Sequence, residues 1–427
     1  MASKKIFIVI AIIIIAYGIK SYHKEGDLAV FTRGADNLLS GTTIYRNEVG
    51  AFTYPPFFAF VMIPFTYMKT HTARIIWYTV NIVLIILILR SVRTLIDPLL
   101  NKAYTPPAWR LTSQAVLVIG SLLTLRFFLS TIDNQQSDLL VLSFSLLGIS
   151  SLERNRSILC GAFLAVAISV KLTPLLFIPY LVYRRAHLSL LYVAAFTVIF
   201  FALPETLFPA RSGIPLTESW YELVMTKVAP WEGGTPWAEG GGIWTATNIL
   251  NQSLPATVYR YLVQEPTNIY GGQIWVNMAD LGPGTVRMVV YLLAFLLLAT
   301  SAFSISRIPK DGPRTAIDCG IIFCLMLLLS PQSSKPHFSS LILPNVCLLT
   351  GLSINIDRFL LITVILSFML CTLSAEGFLG NRLSDVAEAY GAITLGTFLI
   401  WCALIRLLIQ IPRAQNGNPL TSWSMAF

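Results

Sequence analysis

The sequence predicts an all-α polytopic membrane protein, a single bundle of about twelve transmembrane helices over residues 1–427. Three observations predict it. Of the residues, 55% are hydrophobic and only 12% charged, more apolar surface than a soluble fold can hide. Long apolar runs recur along the whole chain, and the few charges sort by side when those runs are taken as crossings.

The expected crossings lie near 5–22, 73–90, 112–131, 137–152, 157–170, 173–183, 188–204, 286–306, 315–330, 339–353, 358–374 and 389–409. Several are shorter than a full span, which implies tilt or burial within the bundle. The first run follows Lys4 and Lys5 and has the look of a signal peptide, but Tyr22-His23-Lys24-Glu25 is a poor cleavage site, so a retained helix is expected. With the N-terminus inside, segments on that side carry 16 basic and 5 acidic residues, a net of +11; the outside carries 14 and 16, a net of −2. Both termini are thus expected in the cytoplasm, and the basic balance reflects topology and gives no reason to infer nucleic acid binding. All six cysteines fall in or beside apolar spans without metal-ligand spacing, so neither a disulfide nor a zinc site is expected.

Three outer segments exceed simple connectors: 20–74, 204–285 and a shorter stretch at 331–337. In the first, Leu28, Phe31, Ala35, Leu38 and Leu39 recur at three- and four-residue steps up to Gly41, the pattern of an amphipathic surface helix. An apolar stretch then runs from Tyr54-Pro55-Pro56 to Met68, too short to cross a core of roughly 30 Å, and is expected to be re-entrant. The second segment is rich in tryptophan and glycine (Trp220, Trp231, Trp237, Trp244, Gly240-Gly241-Gly242), suited either to an interfacial belt or to stacking on sugars.

Lys171 follows a fourteen-residue run that would end, at roughly 21 Å, below the outer surface. Thr173 and Pro174 then suit the N-cap and first residue of a new helix, so a lysine beside helix amides would make an anion site at headgroup depth. A snorkelling lysine is the plain alternative. Arg126, near the outer end of its run, either pairs with Asp133 or Asp138 or adds a second phosphate contact. Asp27 precedes the surface helix and suits a helix cap, a catalytic carboxylate or both, with Glu25 and Asp36 as neighbouring rivals. His337 opens a helix, where a neutral ring able to accept or relay a proton is expected.

In this order the pieces resemble the glycosyltransferase 87 family, the polyprenyl-phosphate-sugar-dependent membrane transferases of GT-C fold. The resemblance rests on Asp27-Leu28-Ala29-Val30-Phe31 with Gly41 and Tyr45, Thr53-Tyr54-Pro55-Pro56 and Gln136-Ser137-Asp138-Leu139-Leu140. It continues through Lys171-Leu172-Thr173-Pro174, Asn251-Gln252-Ser253-Leu254 and Ser330-Pro331 with His337, covering roughly residues 20 to 350. It implies an inverting transfer of a sugar, mannose favoured, from a polyprenyl-phosphate carrier to a glycan or glycolipid acceptor outside a bacterial inner membrane. It implies Asp27 and His337 as catalytic residues. Lys171, with Arg126 and Lys335, would bind the donor phosphate, and Tyr54, Gln136, Asp138, Trp244, Asn251 and Gln252 the substrate. No cofactor or metal is expected, because fixed cations are available and the first loop lacks an Asp-x-Asp pair. Two departures stand out: Gln135 where the family usually has glycine, and Ser334 where it usually has tryptophan. A transporter or flippase of a lipid-linked sugar is the rival expectation, although the second half shows no counterpart of the broken segments in the first.

Overall fold

In the computed structural model, residues 15–46, 50–101, 111–226, 244–306 and 314–410 are described, and nearly all regular structure in them is helical. The chain begins in helical residues 15–23 (α1) and enters α2 (Leu28–Leu39). Leu28, Phe31, Ala35 and Leu38 form the buried face of α2, as their spacing predicts. That face packs on α3 (Pro56–Thr66), whose eleven residues span roughly 16 Å, about half a bilayer core.

Next come α4 (Thr70–Asn101), α5 (Ser113–Asp133), α6 (Asp138–Glu153) and α7 (Ser157–Val170). A 3-10 turn, Thr173–Leu176, leads into α8 (Phe177–Tyr183), followed by α9 (His187–Leu207). The chain closes with α12 (Pro283–Ser306), α13 (Thr315–Leu329), a 3-10 helix at Lys335–Leu341 running into α14 (Ile342–Ile354), α15 (Arg358–Phe368), α16 (Glu376–Ala389) and α17 (Ala392–Gln410).

Every expected crossing from 73–90 onward coincides with a helix, but not every helix is a full span. Among the described residues six are long and apolar enough: 70–100, 113–133, 187–207, 283–306, 335–354 and 392–410. A seventh arises if the bent pair 358–373 and 376–389, at 88° to one another, is one broken span. The expected figure of twelve thus includes short helices that survive by burial inside the bundle. Almost the whole of α13 is buried, and α7 lies against both α6 and α9. A Cβ at Gly161 would come within 2.8 Å of the Tyr192 backbone, so only glycine allows α7 and α9 to approach so closely. The chain is a multi-pass membrane protein.

Within the long loop lie α10 (Leu216–Trp220), α11 (Leu254–Leu262) and an unforeseen two-stranded hairpin, β1 (Thr267–Ile269) with β2 (Gly272–Ile274). Arg260 on α11, fully buried, donates to the carbonyls of Ala246, Asn251 and Ala389 at 2.9 to 3.0 Å and ties this loop to the end of α16. Trp220 donates to the Thr53 carbonyl at 3.2 Å, whereas Trp231, Trp237 and Gly240-Gly241-Gly242 lie outside the described residues.

Candidate active site

Five separate stretches of chain bring Asp27, Tyr54, Gln136, Asp138, Lys171 and His337 into one network. Helix α7 stops at Lys171, whose backbone turns extended (φ −145°, ψ 138°), and its side chain is left facing inward. The ammonium lies 2.7 Å from Asp138 Oδ1, 3.3 Å from His337 Nε2 and 5.4 Å from the centre of the Tyr54 ring. With 14% of the Lys171 and 6% of the Asp138 side chain exposed, the contact is a buried ion pair, and Lys171 does not snorkel. Asp138 also occupies the first turn of α6, where the helix dipole favours a carboxylate. The expected Thr173 cap does not form: Leu172 is the N-cap, and a four-residue 3-10 turn follows, so the lysine and not a helix N-terminus supplies the positive charge.

From Tyr54 the network runs on to the carboxylate. The Tyr54 hydroxyl donates to Gln136 Oε1 at 3.0 Å, and Gln136 Nε2 donates to Asp27 Oδ2. Asp27 stands at the N-cap of α2, yet its side chain makes no capping bond and turns to Gln136 instead. The cap reading is therefore corrected: the position is that of a cap, the side chain is free for chemistry. Its rivals Glu25 and Asp36 are exposed. Burial pushes the Asp27 carboxyl above the usual carboxylate range and Asp138 adds to this, while the Lys171 charge and the Gln136 hydrogen bond partly offset them.

His337 is the third residue of the 3-10 helix behind Ser334. The Ser334 backbone N–H donates to His337 Nδ1 at 3.2 Å, and its hydroxyl lies 2.9 Å from the same nitrogen. A backbone N–H can only donate, so the Ser334 contact asks Nδ1 to accept, while the Lys171 ammonium, also only a donor, faces Nε2. Nε2 lies 3.8 Å from Asp138 Oδ1, beyond hydrogen-bond reach. Ser334, the second departure from the family pattern, thus holds the ring by Nδ1. Gln135, the first, adopts the left-handed φ of 55° that glycine takes without strain. The Trp77 indole holds its carbonyl at 2.9 Å.

Arg126 pairs with neither Asp133 nor Asp138. It donates to Glu388 Oε1 at 2.6 Å, the Cys371 carbonyl at 2.8 Å and Ser374 Oγ at 3.0 Å, while Lys20 and Lys24 take Asp133. Lys335 reaches the same Glu388 oxygen at 2.7 Å, so both cations meet on a fully buried carboxylate that the sequence did not single out. Nothing local marks Glu388, which is 262 residues from Arg126. Asn251 and Gln252 are fully buried and bond to backbone: Asn251 to Pro331 and Ser333, Gln252 to Ile249, Ser333 and Glu388. They pin the long loop to the 331–333 stretch. Trp244 is half-buried and its carbonyl receives the Gln332 amide at 3.2 Å.

Residues 52–331 match glycosyltransferase family 87. The chain belongs to that family. Tyr54, Gln136, Asp138 and Lys171 fall inside the matched stretch, whereas Asp27 and His337 lie just outside it and join the site through the contacts above. No curated protein matches the chain. Among solved structures it is similar to ArnT from Cupriavidus metallidurans bound to undecaprenyl phosphate, at 13% identity over 96% of this chain and 78% of that one, with a TM-score of 0.42. As a member of glycosyltransferase family 87, the protein is a membrane glycosyltransferase.

Proposed function

We propose that this glycosyltransferase moves a sugar, with mannose favoured, from a polyprenyl-phosphate carrier to an acceptor hydroxyl on the extracytoplasmic side, inverting the anomeric centre. The observation that carries the proposal is the continuous path from the Lys171 ammonium, through Tyr54 and Gln136, to the Asp27 carboxylate. It sets a cation and a base at opposite ends of one small site.

Such a donor has a phosphate as leaving group. An ammonium has three N–H donors. Asp138 engages one of Lys171's, and the remainder are available to a phosphate oxygen beside His337. In a water-poor site such fixed donors lower the barrier as charge develops. Asp138 holds the Lys171 ammonium in place. Asp27 takes the proton of the acceptor hydroxyl as its oxygen attacks the anomeric carbon. The bond from that carbon to the phosphate oxygen breaks with its electron pair, and the polyprenyl phosphate departs from the opposite face of the sugar. The transfer needs no metal, since Lys171 supplies the electrophilic side. Lys335, less buried than Arg126, is the second cation available to the phosphate, whereas Arg126 also holds the Cys371 carbonyl and Ser374 Oγ and keeps a structural part.

The charge balance of the loops supports an outward-facing site with both termini in the cytoplasm, and the family supports a bacterial inner membrane. The test is transfer from a panel of polyprenyl-phosphate sugars into isolated membranes by wild type and Asp27→Asn. Wild type should use at least one donor and the variant none; equal transfer by both removes Asp27 from the mechanism.

A further inference from the structure

The turn between α5 and α6 does more than connect them. Asp133, Asn134, Gln135 and Gln136 are consecutive, and all four hold the segment that ends in Asp27. The Asp133 carboxylate takes Lys20 and Lys24. The Asn134 carbonyl accepts the Asp27 N–H at 3.0 Å. Gln135, buried, donates through Nε2 to the Lys24 carbonyl at 3.0 Å and the Ser21 carbonyl at 3.4 Å. Gln136 then bonds the Asp27 carboxylate itself. The two stretches lie so close that a Cβ at Gly26 would fall 2.9 Å from the Asn134 oxygen, hence the glycine there.

Within this clasp Gln135 is the unusual member. A glutamine in the left-handed region costs backbone energy that glycine would not. The conformation does two things at once: it reverses the chain so that Gln136 turns toward Asp27, and it sends the Gln135 amide to the carbonyls of the first-loop segment. We propose that Gln135 is a positioning residue, whose side chain fastens residues 21–24 so that the Asp27 carboxylate stays on Gln136 and in line with the acceptor. It touches neither substrate nor reacting atom and acts only through Asp27. The proposal rests on Asp27 being the base.

Gln135→Gly separates the two functions, because glycine keeps the left-handed turn and the carbonyl held by Trp77 but removes the amide. In the full-length enzyme in nanodiscs, kcat should fall about tenfold while KM for the polyprenyl-phosphate donor stays within about twofold. The acid limb of the kcat–pH profile should also move to lower pH, because a loosened Asp27 gains water and loses the burial that raises it. A merely structural residue would lower the amount of active enzyme and leave the limb in place. Gln135→Asn, which also tolerates the left-handed region but reaches one methylene less far, should shift the limb in the same direction. An unchanged limb in both variants overturns the proposal, whatever happens to kcat. Asp27→Asn is measured alongside. If it is inactive and the Gln135 variants match wild type, only the positioning role fails; if it transfers normally, the base and the clasp fail together.

Discussion

Removing the Lys171 charge tests both the chemistry and the architecture, and the ion pair with Asp138 makes the two separable. Lys171→Met keeps the side-chain length but leaves Asp138, 6% exposed, without the partner at 2.7 Å. Stripping one member from a buried pair costs about 3–5 kcal/mol, so Lys171→Met alone should lower the unfolding temperature and lose activity for two reasons at once. Adding Asp138→Asn removes the stranded charge, and the double variant should recover most of the thermal stability. Its transfer rate should remain about 100- to 1,000-fold below wild type, the usual cost of losing one fixed donor to a developing anion, or roughly 2.7–4 kcal/mol in the barrier. The assay is transfer of a radiolabelled sugar from its polyprenyl phosphate, paired with unfolding followed by tryptophan fluorescence on the same preparation. A double variant that is well folded and transfers within threefold of wild type would refute Lys171 as the leaving-group cation.

Other outcomes follow from the same geometry. Because the Asp27 pKa is raised, kcat/KM should fall with a one-proton slope as pH drops through a value above the ordinary 3.8, as pH–rate measurements would show. The stability sign is opposite: ionising a carboxylate whose folded pKa exceeds its unfolded one costs stability as pH rises through that window. Asp27→Asn should therefore be inactive yet no less heat-stable than wild type at neutral pH, as a melting curve would reveal. Arg126→Ala removes one of the two cations on buried Glu388 and should destabilise by about 3–5 kcal/mol, read as a lowered unfolding temperature. Its kcat should fall far less than that of the Lys171 variants. Transfer should be unchanged after incubation with EDTA, and a loss restored by a divalent cation would contradict the metal-free mechanism.

How much of this was legible in the sequence depends on the range of the interaction. Apolar runs placed the helices because each run must satisfy its own surroundings, and the spacing of Leu28, Phe31, Ala35 and Leu38 marked the buried face of α2 for the same reason. Lys171 was visible because a charge ends an apolar run. Lengths were harder to read: α4 continues to Asn101, well past the apolar stretch, because Arg90 and Arg93 are as compatible with a helix as with a loop. Partners were harder still. Glu388 meets Arg126 and Lys335 across distant segments, and Asn251 and Gln252 spend their amides on backbone, choices that tertiary proximity makes and that leave no local pattern. The hairpin at 267–274 is too short to show any alternation. For His337 the position was legible and the partners were not, because Ser334 and Lys171 meet its two ring nitrogens only in the fold.

Arg260 limits how a lipid-borne substrate can arrive. Its guanidinium, 1% exposed, binds carbonyls on both sides of the seam between the 244–262 stretch and the end of α16. Lifting that stretch would break three charge-assisted hydrogen bonds at once, which favours the two parts moving together. For the proposed lipid-borne donor, this fastening favours entry from the side, between helices, over entry through the seam.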